Sequence, residues 1–223
     1  MNGRKFAHVA VGSAALLVTL TTFAAADAAA RPRRWASPPD VDIVLEGGAV
    51  MPRGDLGDDY FATPLGFGAE AGYDVGVRTR VTWPSGWAVS PSFHYQDFGD
   101  FTYADGDELF AIKTSIIRYG FDIQHFFQTR RGQPQPFVSA GLALCHNMYR
   151  DETVTTLPVS WYEASSDALA FGFGGGLKID TFELSATYTI NRFESARLVE
   201  FGLPIDYSWD TIVVRAGLAL PAN

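Results

Sequence analysis

The chain has 223 residues, 47 % hydrophobic, 14 % aromatic and 19 % charged, with one cysteine and a formal net charge of −8. That is too apolar for a disordered chain and long enough for one full domain. A lone cysteine excludes an intramolecular disulfide and any cysteine-cluster metal site, and the acidic excess speaks against a nucleic-acid binder, which needs basic charge to neutralise phosphates. Mean hydropathy is +0.03, the average of a soluble protein, so the informative question is where the apolar residues sit.

The first element reads as an export signal, residues 1–26. Arg4 and Lys5 make a short positive region, Val9 to Leu20 is apolar, and Ala24-Ala25-Ala26 offers small residues for a signal peptidase. Cleavage is expected after Ala26, with Ala30 the second choice. The alternative, an N-terminal membrane anchor, meets an apolar run shorter than the ~20 residues a spanning helix needs. Residues 27–40 are rich in Ala, Arg, Pro and Ser, resist helix and central strand alike, and read as a tether on the periplasmic side. No apolar run of membrane-helix length follows residue 30.

From Val41 to Leu220 the dominant signal has a period of two. Ile43, Leu45, Gly47 and Ala49 alternate with Asp42, Val44, Glu46 and Gly48. Leu65 to Trp83 carries the strongest alternation. Its odd positions run through Phe67, Ala69, Ala71, Tyr73, Val75, Val77 and Val81, and its even positions through Glu70, Gly72, Asp74, Gly76, Arg78 and Arg80. After Pro84-Ser85-Gly86, Trp87, Val89, Phe93 and Tyr95 alternate with Ala88, Ser90, Ser92, His94 and Gln96. Five more such segments centre on Ile117–Gln124, Val138–Cys145, Leu169–Ile179, Phe182–Asn191 and Thr211–Leu220. Period two means strands with one apolar and one polar face. Long, acidic and aromatic connections (51–64, 98–110, 150–167, 192–208) alternate with shorter ones (84–86, 128–136, 180–181). The expected fold class is therefore all-β, an eight-stranded antiparallel up-and-down transmembrane β-barrel spanning 41–220.

The polar face decides which way the barrel faces. It is dominated by Gly, Ser, Thr and Ala, whereas a water-facing exterior should be rich in charge, and small side chains suit a narrow lumen. Glu46, Glu70, Asp74, Asp122 and Glu183, with Arg78, Arg80, Arg118, Lys178 and Arg215, are expected to form a balanced lumen network, since buried charges must be paired. Aromatic residues at the strand ends are expected to mark the two bilayer interfaces: Trp83 and Trp87, with Phe127, Phe137 and Phe182, at the short-turn end, and Tyr95, Tyr149, Tyr207 and Trp209, with Phe98, Phe110 and Phe193, at the long-loop end.

On these features the segment Val41 to Leu220 resembles the small outer-membrane β-barrels of bacteria, the OmpA/OmpX-type superfamily. The residues carrying the likeness are Ile43-Val44-Leu45-Glu46-Gly47-Gly48, Trp83-Pro84-Ser85-Gly86-Trp87 and Pro136-Phe137-Val138-Ser139-Ala140-Gly141-Leu142. The resemblance implies outer-membrane lipid and lipopolysaccharide as surroundings and the barrel-assembly machinery as the partner for insertion. It implies no activity, because this fold hosts adhesins, enzymes and narrow pores. Members usually end on an aromatic residue; this chain ends Leu220-Pro221-Ala222-Asn223.

A barrel deacylase would need a Ser within reach of a His oriented by a carboxylate, and His94, His125 and His146 lack a Ser two residues on. Cys145 and His146 are adjacent on a strand and point to opposite faces. Asp55, Asp58, Asp59, Asp105, Asp107 and Glu108 make acidic loops without calcium-loop spacing. Gly172–Gly176 sits in alternating strand sequence, not a phosphate cradle. No catalytic residue, cofactor or metal is expected. The expectation is an integral outer-membrane protein of a Gram-negative bacterium, non-enzymatic, structural or meeting an extracellular partner through its loops. Its rivals are a narrow small-solute pore, a lipid A-modifying enzyme and a soluble secreted barrel.

Overall fold

A computed structural model describes residues 38–58, 66–105, 108–129, 133–154, 160–195 and 205–222. The expected signal peptide and most of the tether lie outside them. Among the described residues eleven strands run in chain order: β1 (Asp40–Arg53), β2 (Glu70–Thr82), β3 (Trp87–Gly99), β4 (Phe101–Asp105), β5 (Glu108–Phe126), β6 (Gln135–Val154), β7 (Ser160–Ile179), β8 (Phe182–Ile190), β9 (Arg192–Ser195), β10 (Ile205–Ser208) and β11 (Asp210–Pro221). Eight of them, β1, β2, β3, β5, β6, β7, β8 and β11, pair antiparallel with their neighbours and close on themselves. The barrel closes where the first strand meets the last, β1 against β11, in register from Asp42 opposite Pro221 to Arg53 opposite Asp210. Closure removes the free edges that an open sheet of alternating strands would expose. The eight-stranded antiparallel barrel expected from the alternation is the fold observed.

Both Asp40 and Pro221 lie at the end of the short turns. In the turn from Trp83 to Trp87 the Gly86 N–H donates to the Trp83 carbonyl at 2.9 Å and Gly86 takes φ +86°. The β7–β8 hairpin turns through Asp180-Thr181. At the opposite end the strands do not stop where the hydrophobic contrast fades. β5, β6 and β7 continue for 19, 20 and 20 residues, paired as far as Leu109 opposite Val154 and Thr153 opposite Ser160. Much of the expected long loops 98–110 and 150–167 is thus a tall three-stranded wall, extended by β4. Strands β9 and β10 form a hairpin within the expected loop 192–208, tied down where the Ser208 N–H donates to Asp55 Oδ2 at 2.7 Å.

The start of β2 also differs from expectation. Residues 66–69 are not strand, and Gly68 at φ +65° turns the chain. Phe67 and Ala69, placed by alternation on the outward face, are buried.

Lumen strands approach one another closely enough to require glycine. A Cβ at Gly76 would stand 2.2 Å from His94 Nδ1 and 2.6 Å from the Phe93 carbonyl oxygen. Gly76→Ala is expected to destabilise the barrel by about 1–3 kcal/mol through overpacking. A urea titration of the refolded barrel in detergent reads this as a lower midpoint; an unchanged midpoint contradicts it.

Candidate functional site: an inverted barrel with a closed lumen

Period-two geometry sends alternate side chains inward and outward. Outward on the barrel stand Leu45, Val75, Phe121, Leu142, Phe173 and Val214, each between 40 % and 49 % exposed. Inward stand Asp74, Arg80, His94, Arg118 and Glu183, each at most 2 % exposed. The chain thus wears its apolar residues outside and its charges inside, the reverse of a water-soluble barrel and the arrangement of one solvated by lipid. No helix among the described residues is long and apolar enough to cross a membrane; the strands supply the apolar belt. Ala216 lies at the centre of the outward row Ile212, Val214, Ala216, Leu218 and Leu220, beside Gly47 and Leu184. Its small neighbour Gly47 leaves room, so Ala216→Arg probes the surroundings. In a bilayer it is expected to destabilise the fold by about 2–4 kcal/mol, as for a charge at the midplane of a membrane barrel. Unaltered unfolding in lipid vesicles would refute the lipid-facing assignment.

The lumen is layered. Nearest the short turns, Ala88, Phe126 and Phe137 form a small apolar floor, and the Arg80 guanidinium lies 5.1 Å from the centre of the Phe126 ring, a cation–π contact. Above it the charges form linked pairs. Arg80 reaches Asp42 Oδ2 at 2.6 Å, which Lys178 also approaches at 3.3 Å. Glu183 bridges two guanidiniums, accepting from Arg78 on one carboxylate oxygen and from Arg80 on the other. Arg78 also contacts Glu46 at 3.1 Å. Asp74 holds Arg215 in a two-pronged contact at 2.6 and 3.0 Å and accepts from Gln96 Nε2 at 3.0 Å. His94 lies between Asp74 and Glu46, at 3.2 and 3.5 Å. Arg118 faces Asp122, further along its own strand and on the same face, at 3.5 Å.

Asp42, Glu46, Asp74, Asp122 and Glu183 therefore meet Arg78, Arg80, Arg118, Lys178 and Arg215, five acids for five bases among the described residues. Of the residues expected in this network, Glu70 does not join it. The register between β2 and β3 shifts between Glu70 and Tyr73, a bulge that breaks the two-residue count, and Glu70 is exposed at the barrel mouth. Asp42 takes the fifth acidic place; it shares the phase of Glu46, which is the signal that identifies it.

A hydrogen-bonded pair tops the charged layer: Asn191 Nδ2 donates to Asn147 Oδ1 at 2.7 Å. Above this, the long-loop mouth is filled by an aromatic stopper. Phe67 is its hub, meeting Tyr149, Phe193, Tyr207 and Trp209 edge-on with ring centres 4.9–5.8 Å apart. Phe193 and Trp209 stack at 4.4 Å. Leu56, Phe98, Ile112, Ile116 and Cys145 belong to the same cluster. This corrects the interfacial assignment of Tyr149, Tyr207, Trp209, Phe98 and Phe193, each at most 5 % exposed: they occupy the lumen phase of their strands and fill the mouth, as Phe137, also expected at the interface, fills the floor. Trp83 and Trp87 do face outward and exposed, and Tyr95 stands half-buried on the outer face, donating to Asp97 at 2.7 Å.

The histidines have separate surroundings. His94 is enclosed in the lumen. His125 packs on Trp87 with ring centres 4.6 Å apart. His146 meets Asp167 at 2.7 Å on the outer face, while Cys145, buried, points inward. Of the acidic loop residues, Asp59 and Asp107 lie outside the described residues.

No protein-family model matches the chain, and no curated protein matches it. Among solved structures it is similar to Neisserial surface protein A, with 12 % identity over 82 % of this chain and 98 % of that one, at a TM-score of 0.45. It is similar to Ail, the attachment invasion locus protein of Yersinia pestis, with 13 % identity over 82 % and 99 %, at 0.45. It is similar also to a major outer membrane protein of Thermus thermophilus, with 13 % identity over 81 % and 99 %, at 0.47.

Proposed function

We propose that the chain is a bacterial outer-membrane β-barrel that forms a closed, non-enzymatic wall element and presents its loop end to the cell exterior as a structural or interaction surface. One observation carries this: the lumen is blocked in successive layers, by paired charges and then by the Phe67-centred aromatic stopper, while the outside is apolar. A pore needs a continuous wet path, and buried charges matched one to one leave no field to draw an ion through. Outer-membrane phospholipid and lipopolysaccharide are the solvent of the belt, and the barrel-assembly machinery is the partner for insertion. The tall wall of β5, β6 and β7 is the surface best placed to meet an extracellular partner. Its outer face carries ion pairs such as Arg150–Glu163 at 2.7 Å.

Reconstitution in planar bilayers is expected to leave conductance at the level of the bare membrane, and vesicle swelling in small sugars at the level of protein-free controls. Stable conductance steps would overturn the closed reading in favour of a narrow pore. For the lipid-modifying alternative, the histidine to test is His146, because it pairs with a carboxylate on the outer face whereas His94 is sealed inside. Incubation with lipopolysaccharide is expected to leave its acyl chains unchanged. Acyl loss that disappears in His146→Ala would establish an enzyme.

A further inference from the structure

On the short-turn side of the Phe126 floor the barrel holds a cavity of about 340 Å³, walled by Asp40, Asp42, Phe126, Gln128, Gln135 and Lys178 among others. Packed interiors leave few gaps larger than a water molecule, and this one reaches the size of a ligand site, roughly 300 Å³ and upward. It offers an aromatic surface, two amides and an acidic rim. Of the two rim carboxylates, Asp42 is taken up by Arg80 and Lys178, whereas Asp40 is exposed. The chain next to Asp40 has the complementary chemistry. Residues 31–35, outside the described ones, read Arg31-Pro32-Arg33-Arg34-Trp35: three positive charges, no negative charge and an indole, in a chain of net charge −8. Trp35 is five residues from Asp40, itself part of the cavity wall, and a chain of that length spans at most roughly 16–18 Å. The indole therefore stays near the mouth, and covalent attachment gives it an effective concentration on the order of millimolar.

We propose that the cavity is the docking site of the chain's own tether: residues 31–37 cross the short-turn mouth, seating Trp35 against Phe126 and bringing Arg33 or Arg34 to Asp40. An indole suits the site because its apolar body covers the Phe126 ring while its N–H, a donor only, finds an acceptor in the amide oxygen of Gln128 or Gln135. The arginines answer the acidic rim, which an uncharged or anionic occupant leaves unmatched. The docked tether caps the lumen from the end opposite the Phe67-centred stopper. It does not depend on what the loop end meets.

The test is trypsin cleavage after Arg33 and Arg34 in the detergent-purified barrel with its tether intact, timed by mass spectrometry against a synthetic peptide of residues 27–40. Cleavage is expected to be at least about tenfold slower in the barrel, since it follows the undocked fraction. Trp35→Ala should bring the rate to that of the matching peptide, and Asp40→Lys should raise it part of the way, both with the heat-modifiable migration of the folded barrel retained. Equal rates in native barrel and peptide, or protection that survives Trp35→Ala, would overturn the proposal. A second readout identifies the occupant. With photoreactive benzoylphenylalanine at position 35, the expected cross-link lies within one chain, to Phe126, Gln128 or Gln135. A cross-link to the outward-facing Phe127, to detergent or to a second copy of the chain would place the tether elsewhere and contradict the docking.

Discussion

Glu183→Gln is expected to destabilise the barrel by about 3–5 kcal/mol, because removing one member of a buried ion group leaves its partners charged and uncompensated. Glu183 is 2 % exposed and sits between Arg78 and Arg80, themselves 6 % and 0 % exposed. The amide keeps the shape and loses the charge, so the change isolates electrostatics from packing. Lys178→Met serves as the contrast. Lys178 is partly exposed, and its partner Asp42 keeps Arg80 at 2.6 Å, so that loss should stay below about 1 kcal/mol, the range of exposed pairs. Urea unfolding of both variants in the same detergent decides the matter. Equal midpoints would show that the lumen charges are not an interdependent network.

Trp209→Ala is the second large effect. Trp209 is fully buried, stacked on Phe193 and met edge-on by Phe67. Truncating a buried Trp or Phe removes its apolar burial and leaves a cavity, together about 3–5 kcal/mol. The loss should also loosen the mouth. Cys145 belongs to the same cluster and is 1 % exposed, so a membrane-impermeant maleimide should leave the folded native barrel unlabelled and label Trp209→Ala. A variant that stays unlabelled, with a native unfolding midpoint, would show that the stopper does not seal the lumen.

The stopper also shows where the sequence was legible and where two rules conflicted. Tyr149 shares the phase of Cys145 and Asn147, Phe193 that of Thr189 and Asn191, and Trp209 that of Thr211 and Arg215, all buried in the lumen. Strict alternation therefore places these rings inside, whereas the habit of aromatic residues to gather at bilayer interfaces places them outside. Alternation wins because backbone pairing fixes side-chain direction, while interfacial preference is only a tendency of composition. The upper parts of β5, β6 and β7 were hidden for a different reason. Above the belt, outward positions such as Lys113, Arg150 and Glu163 face water. The contrast between faces vanishes there although the hydrogen-bonded ladder goes on. Glu70 and Phe67 escaped the pattern because a bulge and a left-handed glycine reset the count, and neither leaves a mark in hydropathy.

The most direct test of the inverted, sealed barrel is lipid quenching of single-tryptophan variants in bilayers containing bromine-labelled acyl chains. With Trp87 as the sole tryptophan, emission should fall strongly with bromines near the headgroups, since this residue is 52 % exposed on the outer face. With Trp209 alone, emission should resist both the lipid bromines and aqueous acrylamide. A Trp87 blind to the lipid, or a Trp209 quenched by it, would contradict the account.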